Sequence, residues 1–238
     1  MAFLKWFYFF VMMGLLGVGL CTRADDSVPK PTRLAKHSKH ATSDKGEVVL
    51  PPLLREVEAK YESLPTIQAD FDQVKETASL GMKKKSHGTM MIKRPNKIRW
   101  QTETPEKSLF VSDGHKFWVY TPPFDEGEAG QVIESKSSQI PELAKALLSG
   151  TFSKAKSMRV QPDGEKGFFL IPNRGTAGDL KRAILEIDAE KKFIQRVTLE
   201  YDSGNRTEIA LSKIELGSQL GDELFDFHPP PNTERIQQ

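Results

Sequence analysis

The sequence predicts an α+β protein built on a strongly curved antiparallel sheet of about ten strands. Three observations carry that prediction. Gly88–Tyr120 reads as four short strands, Met90–Arg94, Lys97–Gln101, Leu109–Ser112 and Lys116–Tyr120, with tight turns at Pro95-Asn96 and Asp113-Gly114. Beyond Gly150, β-rich runs recur about every ten residues between Asp-, Gly- and Asn-bearing turns. Only two segments carry a helical period, and strands do not alternate with helices as they do around a parallel sheet.

The chain opens on a secretory signal, residues 1–24. Lys5 supplies the cationic start, Trp6–Leu20 an uninterrupted apolar run, and Thr22-Arg23-Ala24 the small residues read at cleavage. The run is shorter than the ~20 residues needed to cross a bilayer. Cys21 follows Leu20 rather than a small residue, so it belongs to the discarded signal and the mature chain carries no cysteine. Residues 25–50 form a flexible tether rich in Pro, Ser, Lys and His, and residues 51–238 form one domain. The balance of 34 basic against 32 acidic residues leaves a net charge of +2, with no electrostatic footprint for nucleic acid.

Pro52 opens the first helix, in which Leu53, Val57, Tyr61 and Leu64 make one apolar stripe before Pro65. Ile67, Ala69, Phe71 and Gln73 then alternate with polar residues, as in a strand facing a core. The meander follows. Its later strands are apolar at both parities, with Trp118 and Tyr120 on one face and Phe117 and Val119 on the other, so both faces need cover. IPELAKALLSG is the second helix, with Leu143 and Leu147 on an apolar face and Gly150 at its C-cap. Met158–Gln161, Gly167–Pro172, Leu180–Asp188, Phe193–Asp202 and Arg206–Leu216 are five further strands, and FDFHPPP closes the sheet.

Catalysis is not indicated. The chain has no G-x-S-x-G, no phosphate-cradling loop and no mature cysteine. His87, His115 and His228 sit in turns or strand ends without metal-ligand spacing, and no carboxylate pair stands out, so neither a metal nor a cofactor is expected. What remains is apolar surface. Phe71, Met90, Ile92, Ile98, Trp100, Phe110 and Trp118 supply more of it than two short helices cover, which points either to an ordinary core or to a cavity for an apolar ligand. Read alone, Arg94 is a solvated edge-strand cation pairing with Glu103 or a neighbour.

IKRPNKIRW followed by SLFVSDGHKFWVYTP resembles the outer-membrane lipoprotein carrier family, LolA. Phe71, Gln73, Gly88, Lys93-Arg94-Pro95-Asn96, Trp100, Val111-Ser112-Asp113-Gly114, Trp118, Tyr120 and the closing FDFHPP also match. The resemblance implies a half-open antiparallel β-barrel of about ten or eleven strands, with short helices as a lid over an apolar cavity. It implies a monomeric periplasmic chaperone that takes acylated lipoproteins from an inner-membrane ABC transporter complex (LolCDE type). It would deliver them to an outer-membrane receptor (LolB type). On this reading Phe71, Met90, Ile92, Ile98, Trp100, Phe110, Trp118, Leu143 and Leu147 line the acyl-chain cavity. Arg94 takes the part of the family's lid latch, its donor fork suiting helix-end carbonyls. The chain departs from the family at Ile98, where the best-known members carry an aromatic residue, and in its longer tether. The alternatives are a membrane-anchored receptor of the same fold, with Cys21 acylated, and a lipid-sensing module.

Overall fold

The computed structural model describes residues 49–125, 127–139 and 142–236, the side chains of 139, 142 and 143 excepted. The signal segment with Cys21, and the tether as far as residue 48, lie outside the described residues. A single twelve-stranded sheet contains β1 (Thr66–Thr77), β2 (Met82–Lys93), β3 (Lys97–Thr104), β4 (Ser108–Ser112), β5 (Lys116–Thr121) and β6 (Gly130–Lys136). It continues with β7 (Met158–Asp163), β8 (Gly167–Pro172), β9 (Leu180–Asp188), β10 (Phe193–Tyr201), β11 (Arg206–Leu216) and β12 (Thr233–Ile236). The spatial order is β12-β6-β5-β4-β3-β2-β1-β11-β10-β9-β8-β7, so β12 and β7 are free edges and the sheet does not close.

Neighbouring strands run antiparallel with one exception. β12 lies parallel to β6, Thr233 opposite Gly130. This strand is absent from the sequence reading because four residues after Pro229–Pro231 carry no alternation to detect. FDF is not a closing strand either: Phe225 ends a 3-10 turn, Asp222–Phe225, and is fully buried.

Side chains from β1 to β5 and β7 to β11 meet in one apolar cluster, so the sheet curls around its concave side as a half-open barrel. Helices α1 (Pro52–Ser63) and α2 (Glu142–Ser149) lie over that side. In α1 the most buried residues are Leu54, Val57, Glu58 and Tyr61, so the stripe turns slightly from the expected Leu53–Leu64 line. Leu50, assigned to the tether by composition, is buried in the same cluster.

The convex side has its own cover. Val111, Trp118 and Val132 pack with Leu109, Tyr120 and Phe227, whose ring centroid lies 5.4 Å from that of Tyr120 and 6.4 Å from that of Trp118. After β11 the chain therefore runs back across the outer face as a strap, and this is why both parities of β5 are apolar. No described helix is long and apolar enough to cross a membrane.

Candidate functional site

The concave sheet supplies the floor of a narrow apolar slot. Cross-strand pairs Ile67–Ile92, Ala69–Met90 and Met90–Trp100 fix the middle of this surface. Phe71 lies behind them, stacked on Trp100 with centroids 4.2 Å apart. Opposite Phe71 the register requires Gly88. A Cβ there would stand 2.0 Å from the Gln101 carbonyl oxygen and 2.9 Å from the Phe71 ring. The glycine thus admits both a register shift and the stack.

The other half of the slot comes from β10 and β11. Ile194, Val197, Leu199, Ile209, Leu211 and Ile214 line it, and the sequence reading assigned none of them to the site. Their alternation is broken twice. A register shift between Ile194 and Arg196 brings Ile194 to the same side as Val197 and Leu199. A second shift leaves Lys213 with φ 46° and turns Ile214 inward with Ile209 and Leu211. Strict period-two reading sends Ile194 and Ile214 to the wrong face.

Tyr61, Leu147 and Leu148 close the slot from above. Tyr61 accepts a hydrogen bond from the Ile194 amide at 3.0 Å, and burial raises its phenol from 10.0 to about 12. Glu58 of α1 is buried and joins the lid into one piece. Its carboxylate accepts bonds from the Ser153 amide, at 3.3 and 3.1 Å, and from the Ser153 hydroxyl at 2.5 Å. Lys154 reaches Glu62 at 3.0 Å. The enclosed volume is about 40 Å³, room for roughly three waters but not for an acyl chain.

Arg94 holds the two helix ends together. Its Nε donates to the Leu64 carbonyl at the C-cap of α1, 3.0 Å away, and its Nη2 donates to the Ser149 carbonyl at the end of α2, 2.7 Å away. These are helix-end carbonyls without intrahelical partners, at the negative end of each helix dipole. The last turn of α2 has no basic residue of its own, so this cation is supplied from the sheet. Burial lowers the Arg94 pKa, while Glu62 and Tyr61 act to raise it. The bonds to two carbonyls replace the surface pairing with Glu103 that the isolated sequence suggests.

Outside Arg94 lies an open groove of about 670 Å³ and mixed lining, bordered by Arg94, Asn96, Lys97, Ile98, Lys145 and Lys154 among others. Ile92 borders both spaces, so Arg94 stands where the open, mixed mouth meets the apolar slot. Of the residues expected to line the cavity, Met90, Ile92, Trp100 and Leu147 line the slot. Phe71 and Phe110 are buried in the surrounding cluster, and Ile98 borders the mouth. Trp118 is the correction. It faces the convex side beneath Phe227, because β5 carries Phe117 rather than Trp118 into the main cluster. Leu143 falls in α2, with its side chain outside the described ones.

The family model for outer membrane lipoprotein carrier protein LolA matches residues 62–228. An outer-membrane lipoprotein carrier protein from Dechloromonas aromatica is 30% identical over 175 residues, 72% of this chain and 81% of its own. Its counterpart from Coxiella burnetii is 27% identical over 177 residues, 73% of this chain and 81% of its own. A solved LolA-superfamily protein from Nitrosomonas europaea aligns over 74% of this chain and 96% of its own, at 11% identity and a TM-score of 0.43, too low to bear on the argument. The chain belongs to the outer membrane lipoprotein carrier protein family, LolA.

Proposed function

We propose that this protein is a periplasmic chaperone for lipoproteins. It shields the acyl chains of cargo released from the inner membrane by a LolCDE-type ABC transporter complex and delivers them to a LolB-type outer-membrane receptor. The observation that carries this reading is the apolar slot beneath two helices whose ends Arg94 ties together. With room for only about 40 Å³, the slot is shut beneath the helices, and loading requires them to part from the sheet. Parting breaks both Arg94 bonds. A hydrogen bond from a charged donor contributes about 1.5–3 kcal/mol. Closure thus competes with the acyl chains and keeps the affinity moderate, as a carrier that must release its cargo requires. The role needs no catalytic group.

The test is direct. A fluorescent apolar dye should bind the purified protein one to one and be displaced by a triacylated lipopeptide, and protein recovered from cells should carry diacyl or triacyl chains. Binding without displacement contradicts the reading. Intact mass of the mature chain separates the soluble carrier, starting near Asp25, from the anchored receptor type with an acylated Cys21.

A further inference from the structure

The latch is carried on the turn between β2 and β3, and that turn is held from behind. Ile92 and Ile98 point into the concave cluster, so the alternating positions Lys93, Lys97 and Arg99 face the strap on the convex side. All three bond to it. Lys93 Nζ donates to the Leu220 carbonyl at 2.7 Å and pairs with Asp222 Oδ1 at 2.7 Å. Lys97 Nζ reaches the same Oδ1 at 2.8 Å, and Arg99 Nη1 donates to the Leu224 carbonyl at 3.0 Å. Fully buried Phe225 and buried Leu220 fix the strap on either side.

Lys93 and Lys97 are direct cross-strand partners, the last pair before Arg94-Pro95-Asn96. Like charges facing each other across a hairpin push its strands apart. One carboxylate oxygen bridging both ammonium groups converts that repulsion into a clamp, at the point where the hairpin would otherwise fray. The guanidinium one residue beyond must meet two carbonyls on two different helices, and such a fork tolerates little error in approach. The two lysines also hold the Asp222 carboxyl down from 3.8 to about 2, so the clamp is charged at any ordinary pH.

We infer that Asp222 is the positioning residue of the lid latch: by bridging Lys93 and Lys97 it sets the turn from which Arg94 bonds Leu64 and Ser149. This rests on the reading of Arg94 as a latch. It makes the strap part of the carrier mechanism as well as a cover for the outer face.

The experiment is a double-mutant cycle on the mature chain, with cargo transfer to receptor-bearing membranes and apolar-dye affinity as the two readouts. Asp222→Asn should slow transfer about threefold, tighten dye binding by a similar factor, and change neither in the Arg94→Leu background. Asp222→Glu should restore most of the wild-type rate. With Lys93→Gln and Lys97→Gln together, the repulsion is gone and Asp222→Asn should have no effect. Slow transfer by Arg94→Leu with wild-type behaviour of Asp222→Asn overturns this inference and leaves the latch standing. So does a further loss on adding Asp222→Asn to Arg94→Leu. Wild-type transfer by Arg94→Leu removes the latch reading and this inference with it.

Discussion

Gly150 lies so close to Tyr61 that a Cβ at this position would stand 2.0 Å from the Tyr61 Cδ2 atom. Gly150 ends α2 with φ 69°, and Tyr61 is the buried end of α1, so this contact is where the two lid helices meet. Gly150→Ala adds both a clash and a left-handed strain. It should destabilise the fold by about 1–3 kcal/mol. It should also loosen the lid, so that urea denaturation shifts to lower midpoint while apolar-dye affinity rises. Unchanged dye affinity would confine the effect of Gly150 to stability.

The two tryptophans of the domain report on opposite faces. Trp100 lines the slot, whereas Trp118 packs under Phe227 on the convex side. In a chain starting at Asp25, the Trp118→Phe variant should show a blue shift or quenching when a lipopeptide binds. The Trp100→Phe variant should show neither. A response from Trp118 alone would place the cargo on the outer face.

Much of this was legible in the residues, for identifiable reasons. Met90, Ile92 and Trp100 sit in strands with clean alternation between strong turns, so their common face follows from period two. That Arg94 bonds helix-end carbonyls was legible only through the family resemblance, since nothing local reveals that its partners lie at positions 64 and 149. Ile194 and Ile214 were hidden by bulges that flip parity. Trp118 was misplaced because β5 is apolar on both faces, and only the strap decides which face is which. FDFHPPP reads as the close of the sheet, and its course as a strap stays hidden because the strap's contacts come from Lys93, Lys97 and Arg99, more than a hundred residues upstream.

Burial of Tyr61 makes the fold sensitive to alkali. Its phenol is raised from 10.0 to about 12, so the folded state holds the proton that the unfolded chain releases. The associated stability is fully present below pH 10 and is lost as pH rises toward 12. Tyr201 is shifted in the same sense, to about 12. Denaturation curves should therefore be flat from pH 7 to 9 and fall from 10 to 12, with a shallower fall in Tyr61→Phe. An identical pH profile for wild type and Tyr61→Phe would show that the phenol does not titrate with unfolding.

Arg94 carries the central claim, and its variant gives the most direct measurement. Arg94→Leu removes both donors to Leu64 and Ser149 while leaving the slot lining intact. At about 1.5–3 kcal/mol for each bond lost, the open state should gain by at least about one to two powers of ten in population. The account predicts a folded variant that accepts lipoprotein, binds apolar dye more tightly than wild type, and transfers cargo from the purified loaded carrier to receptor-bearing membranes roughly tenfold more slowly. Transfer as fast as wild type, from an equally loaded carrier, would contradict it and reduce Arg94 to a structural tie between two helix ends.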